Sequence, residues 1–248
     1  MRYNGLIAGI LTVAVLCALT GCADMKTAKH AYKSGDYETA RKHWQELADF
    51  GLADAQRQLA EMYTKGSGVE QDYVKAAELL KAAAAQGDAK AYYQLARLYE
   101  EGNGVAADGA QADAYYQEAV KGGYDKAVYH QARMYARGRV VDQDLKKAIA
   151  LYEESARAGY GRASYELAQL LEKDLCEEMR SWYMQEYHPN LSASGRSNEE
   201  IRAIMIHALY SAALATGVDK ASDLAAAAGS ALDETARTEA ARIAKVYS

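Results

Sequence analysis

The chain has 248 residues, with 29 Lys and Arg against 34 Asp and Glu for a formal charge of −5, and half of it is apolar by a wide definition. That length suits one or two globular domains or an extended repeat array, and the apolar fraction excludes wholesale disorder. The acidic balance argues against a nucleic-acid binder, which needs a basic surface for phosphates, while one proline in an alanine-rich chain points to a mostly helical protein.

Residues 1–21 read as a secretory signal, with Arg2 as the positive n-region ahead of the apolar run from Leu6 to Leu19. That run is too short to cross a hydrocarbon core of about 30 Å as a helix. It closes on Leu19-Thr20-Gly21-Cys22, which resembles a bacterial lipobox, cut before the cysteine. The resemblance implies lipidation of Cys22 and a hold on the bilayer through acyl chains. An ordinary signal followed by a coincidental cysteine is the other reading. In Gram-negative lipoproteins an aspartate after the lipidated cysteine favours the inner membrane. Ala23 stands there, so the expected location is the periplasmic side of the outer membrane. With Cys17 removed and Cys22 acylated, Cys176 is the one free thiol and no disulfide framework is expected.

Beyond this leader the chain repeats itself every 36 residues. Ala55, Ala91, Ala127 and Ala163 stand in one column, Ala60, Ala96, Ala132 and Ala168 in another, and Gly51, Gly87, Gly123 and Gly159 in a third. Tyr63/Tyr99/Tyr135 and Asp72/Asp108/Asp144 keep the same spacing. Such a period marks stacked supersecondary units rather than one closed core. Within 89–124, Leu95, Leu98 and Tyr99 form one face of a helix A over Ala89–Glu101. Gly102-Asn103-Gly104 ends it, and Asp108 caps a helix B that runs through Ala112, Tyr116 and Ala119 to Gly122-Gly123. The alanines at 60, 96, 132 and 168 fall where the two helices of each unit cross.

The segment from Ala53 to Val69, with Leu59-Ala60, Tyr63 and Gly66-Ser67-Gly68-Val69, resembles a Sel1-like repeat, a relative of the tetratricopeptide repeat. The resemblance implies an all-α, right-handed α-solenoid of antiparallel helix pairs. Its parts are expected to be a lipidated N-terminus and degenerate hairpin (22–52), three repeats (53–88, 89–124, 125–160), a divergent repeat (161–217) and C-terminal capping helices (218–248). The third repeat departs at Arg139-Val140, where the second loop glycine is absent. An insertion at 175–198 interrupts the divergent repeat. Its first half suits an extra helix and its second half, from Pro189 to Asn198, has the composition of an exposed loop. Trp182, Tyr183 and Tyr187 make the insertion a secondary partner site, or else packing filler.

No catalytic constellation emerges. The five histidines show no metal spacing with each other or with Cys176, and the Gly-Xaa-Gly turns lack the strand and the Gly-Lys-Ser/Thr of a phosphate loop. The expectation is a chain with no metal, no cofactor and no enzymatic activity.

In tetratricopeptide-like arrays helix A lines the concave surface, and its ligand-facing stripe holds Lys90, Lys126 and Arg162, then Tyr93, Tyr129 and Tyr165, then Arg97 and Arg133, and finally Arg137. That stripe is basic and aromatic on an acidic chain. The tyrosines are either ligand contacts or scaffold, and the cations either a receptor or a solvated face. The expected function is a non-enzymatic scaffold for a protein partner of the envelope, supporting an envelope or secretion complex. The alternative is an accessory of exopolysaccharide export that guides an anionic glycan along the same groove, with alginate export as the analogy.

Overall fold

The computed structural model describes residues 24–174 and 177–248. The expected signal peptide, Cys22 and Cys176 lie outside them. The described residues are helical without strands, and the chain divides into one unit ending at Tyr124 and a second beginning at Asp125.

The first unit holds α1 (Met25–Ser34), α2 (Tyr37–Asp49), α3 (Ala53–Lys65), α4 (Tyr73–Ala84), α5 (Ala89–Glu101) and α6 (Gly109–Lys121), each packed on its neighbours in sequence. The helix limits follow from the repeated residues. Asp36, Asp72 and Asp108 accept hydrogen bonds from the backbone N–H three residues on, satisfying donors that a helix start leaves open. Between helices, Ala60 and Ala96 are wholly buried at the expected crossings, and Trp44, Leu80 and Tyr116 fill one column of the core.

The loop glycines have a second task besides the left-handed backbone. A Cβ on Gly68 would overlap that of Tyr37, and one on Gly104 would overlap the backbone of Tyr73. Each tyrosine opens a helix B and rests on the loop of the following repeat. One period further, the glycine column reads Val140 and the tyrosine column reads Gly109. The turn still forms, with Gly138 as its left-handed residue (φ 60°).

The second unit holds α7 (Lys126–Arg137), α8 (Leu145–Arg157), α9 (Gly161–Gln169) with a π-helical turn at Leu170–Asp174, α10 (Glu177–Tyr187), α11 (Pro189–Ser192), α12 (Asn198–Ala215), α13 (Ala221–Ser230) and α14 (Glu234–Ala244). The helix α12 packs on α9 in the role of a helix B, and α13 and α14 pack on α12. A Cβ at Gly161 would collide with Thr216, so the start of α9 and the end of α12 approach as only glycine permits. The segment 189–198 is largely exposed, as its composition suggests, but it is not all loop. Pro189 opens a helical turn, Leu191 is buried, and Ser197 and Glu200 form a capping box for α12.

Candidate partner-binding site

The helix-A stripe differs between the two units. In the first, Arg57 is clamped between Asp54 and Asp88, the latter at 3.0 Å, and Lys29 adds a 2.8 Å pair to Asp54. Arg97 is held by Glu101, one turn along α5, at 2.7 Å. Lys90 is exposed.

In the second unit the position of Glu101 is taken by Arg137, one period later, so Arg133 has lost the partner that Arg97 keeps. Among the described residues, Lys126, Arg133, Arg137 and Arg162 make no ion pair and their side chains make no hydrogen bond. Lys126, Arg137 and Arg162 are exposed, whereas Arg133 is partly buried with its guanidinium 6.0 Å from the centroid of the Tyr129 ring. Its Nε is shielded from solvent and has no hydrogen-bond partner. Beside it, Tyr129, Arg162, Tyr165, Glu166, Asp219 and Lys220 line a cleft of about 370 Å³.

The tyrosines prove to be scaffold before they are surface. Tyr129 is only 5% exposed and belongs to the hydrophobic core, so it is not an open ligand contact. Burial and the charge of Glu166 push its hydroxyl up. Tyr93 stacks on Tyr124 (centroids 4.9 Å) and Tyr129 on Tyr160 (5.0 Å), with Tyr116 and Tyr152 behind them. The Arg57–Asp88 ion pair occupies the same two columns one repeat earlier. One structural contact, between the second position of helix A and the residue ending the repeat, is thus made by charge once and by ring stacking twice. Tyr165, partly buried, packs on Tyr210 of α12 at 5.7 Å.

The insertion is likewise drawn inward. Tyr183 is wholly buried and donates to Glu153 of α8, so it is no surface contact. Trp182 and Tyr187 are partly buried and face cations of the same helix, Lys146 at 5.3 Å and Arg157 at 6.0 Å from the ring centroids. Glu153, 1% exposed, is the meeting point of distant segments. It also accepts from the Tyr247 hydroxyl at 3.0 and 3.1 Å, pairs with Arg157 at 3.1 Å, and lies 3.8 Å from His188 Nε2. Burial alone would push its carboxyl up. The nearby His188 imidazole, the hydrogen bond from Tyr183 and the charge of Arg157 outweigh that and hold it below the usual glutamate value. Sequence reasoning missed this cluster, because one and two periods earlier the column holds exposed Gln117 and Lys81.

Among the described residues no group of His, Cys, Asp and Glu could hold a metal ion, and no helix is long and apolar enough to cross a membrane.

Residues 53–88, 89–124 and 126–160 match the Sel1 repeat. The three matches follow one another in tandem and cover less than half of the chain. Solved structures agree on the fold. A Sel1 repeat protein from Oxalobacter formigenes superposes with a TM-score of 0.56 at 23% identity, over 87% of this chain and 88% of its own. A protective antigen of uropathogenic Escherichia coli with an SLR fold gives 0.53 at 18% identity, over 90% and 67%. In sequence, the alginate biosynthesis protein AlgK of Azotobacter vinelandii is 39% identical over 66 residues, 25% of this chain and 14% of that protein. AlgK of Pseudomonas aeruginosa is 39% identical over 79 residues, 32% and 16%. The match therefore spans about a sixth of these relatives' length. The Sel1 repeat fold is typically a non-catalytic scaffold, and these repeats generally mediate protein interactions.

Proposed function

We propose that the protein is a non-enzymatic interaction scaffold of the bacterial cell envelope, tethered by acyl chains at Cys22 to the periplasmic side of the outer membrane, where it holds a protein partner in an envelope or secretion complex. The observation that carries this reading is the set of cations on α7 and α9 without ion-pair partners among the described residues, on a chain of net charge −5. In the first unit the equivalent of Arg133, Arg97, is paired with Glu101. Cations left unpaired on a repeat scaffold are available to a partner's anions.

The test is photo-cross-linking in cells from a probe replacing Arg137. A discrete protein adduct, lost when Arg133 and Arg162 are both reversed to glutamate, supports the scaffold. Adducts only from a probe at Trp182 would shift the interface to the insertion and sink this assignment.

A second reading, an accessory of exopolysaccharide export that guides an anionic glycan, is favoured by the named role of the AlgK relatives in alginate biosynthesis. Adducts to no protein, together with salt-sensitive binding of a polyuronate by the purified chain, would support it instead.

A further inference from the structure

The first hairpin has an apolar end that the repeat pattern does not account for. Phe50, the one phenylalanine of the chain, is 62% exposed, more than any other large apolar side chain among the described residues. Leu52, beside it in the turn between α2 and α3, is 37% exposed. Over the next three periods the Phe50 column reads Gln86, Gly122 and Ala158, and the Leu52 column reads Asp88, Tyr124 and Tyr160. Those later residues serve the array. Gln86 donates to Gln56 at 3.0 Å, Asp88 caps α5, and Tyr124 and Tyr160 stack on helix-A tyrosines. Leu52 makes no side-chain capping bond to α3, and together with Phe50 it leaves apolar area in water that a contact would remove.

What covers that area follows from where the chain enters the hairpin. The Asp24 N–H donates to His43 Nδ1 at 3.0 Å, and Met25 packs on the cluster that holds Leu47 and Ala48, so α1 begins alongside the second half of α2. From His43, α2 carries Phe50 about 10 Å further in the direction from which the chain arrives. Cys22 stands two residues before Asp24, within about 7 Å of it even in fully extended chain. Acyl chains at Cys22 therefore bring this end of the hairpin to the bilayer, and not the Gly35 turn at the other end. Its charges are mixed, with Lys26 and Lys42 exposed alongside Asp24, Glu46 and Asp49, so it is no basic patch for anionic headgroups. Apolar side chains held beside an anchored residue meet the membrane at high effective concentration, so two of them suffice where alone they would not bind it.

We infer that Phe50 and Leu52 seat the first hairpin in the interfacial layer of the bilayer to which Cys22 is tethered, a second contact that fixes the orientation of the first unit on the membrane. This rests on the acyl tether of the proposed function and adds the residues that meet lipid.

The experiment reconstitutes the acylated full chain into vesicles of phosphatidylethanolamine and phosphatidylglycerol, with a benzophenone amino acid replacing Phe50 or, one period on, Gln86. Mass spectrometry after illumination identifies the adducts and the state of Cys22. Position 50 is expected to give a lipid adduct, at least about fivefold above position 86. A probe replacing Leu52 should label lipid too, and Phe50→Ser should lower its yield by roughly fivefold. Raising the salt should change these yields by less than about twofold, because no charge holds the contact. Circular dichroism melts verify that each variant keeps the fold.

Equal lipid adducts from positions 50 and 86 would mean that the first unit has no preferred seat and would overturn the inference. An adduct from position 50 to a second copy of the chain would make this end a protein interface and overturn it as well. So would the absence of any adduct there, its loss in salt, or a yield from position 52 that ignores Phe50→Ser. Where Cys22 is acylated in those cases, the tether stands and only the seat falls. A Cys22 without acyl chains removes both.

Discussion

The two units begin from the same repeat and diverge in what their charges are used for. In the first, acidic residues at Asp54, Asp88 and Glu101 neutralise Arg57 and Arg97 within the array. In the second, the helix-A column that holds Glu101 carries Arg137, so Arg133 lacks the acid that Arg97 has one turn along. The second unit instead concentrates its intramolecular electrostatics on another helix, at Glu153. A repeat scaffold tolerates such exchange because contacts run mostly between neighbours, so a column can change its chemistry without disturbing the period.

The largest expected effect falls on that carboxylate. Glu153→Ala removes the carboxylate shared by two buried tyrosine hydroxyls, leaves them only His188 Nε2, at 3.3 and 3.1 Å, and should cost the second unit about 3–5 kcal/mol, read from urea unfolding. An unchanged midpoint would erase the contrast between the units. The same group sets an acid limit. Its folded pKa lies below that of the unfolded chain, so its stabilisation is complete above the ordinary glutamate value near 4.5 and is lost as pH falls through the lowered value. Glu153→Gln should flatten the stability of the second unit between neutral pH and that range, measured by melts across pH. Next in size is Ala96→Leu in the first unit, which overpacks a wholly buried crossing and should cost on the order of 1–3 kcal/mol. A melt unchanged by this substitution would mean that the α5–α6 crossing is loose. The smallest is Arg97→Ala. An i,i+4 pair at the surface is worth roughly 0.3–0.5 kcal/mol, so the melting temperature should barely move.

Much of this architecture was legible in the sequence because the period fixes it locally. The limits of α5, Ala89–Glu101, and the cap at Asp108 coincide with those read from spacing alone, since a capping aspartate and a left-handed glycine act within one turn. The stripe was legible as a column but not as a surface. Whether Tyr129 faces a ligand or Tyr160 depends on a partner 31 residues away, and helical periodicity carries no information on that scale. In the insertion, spacing could not tell a partner contact from packing filler for the same reason. Only tertiary burial against other helices makes Leu191 and Tyr183 core. Arg133 was found by counting positions, but its unpaired Nε is visible only in three dimensions.

The hydrogen bond between Tyr247 and Glu153 joins residues 94 apart in a protein otherwise assembled from near neighbours. Closing a loop of that length is entropically costly, and folding slows as the mean separation of contacting residues grows. Helix pairs such as α3 and α4 can form from their own residues alone. The burial of Glu153 must wait for a segment nearly a hundred residues further along the chain. While the chain folds, the second unit therefore holds an exposed carboxylate where the finished protein has a buried one, and its assembly is set by the docking of the last helices rather than of the first.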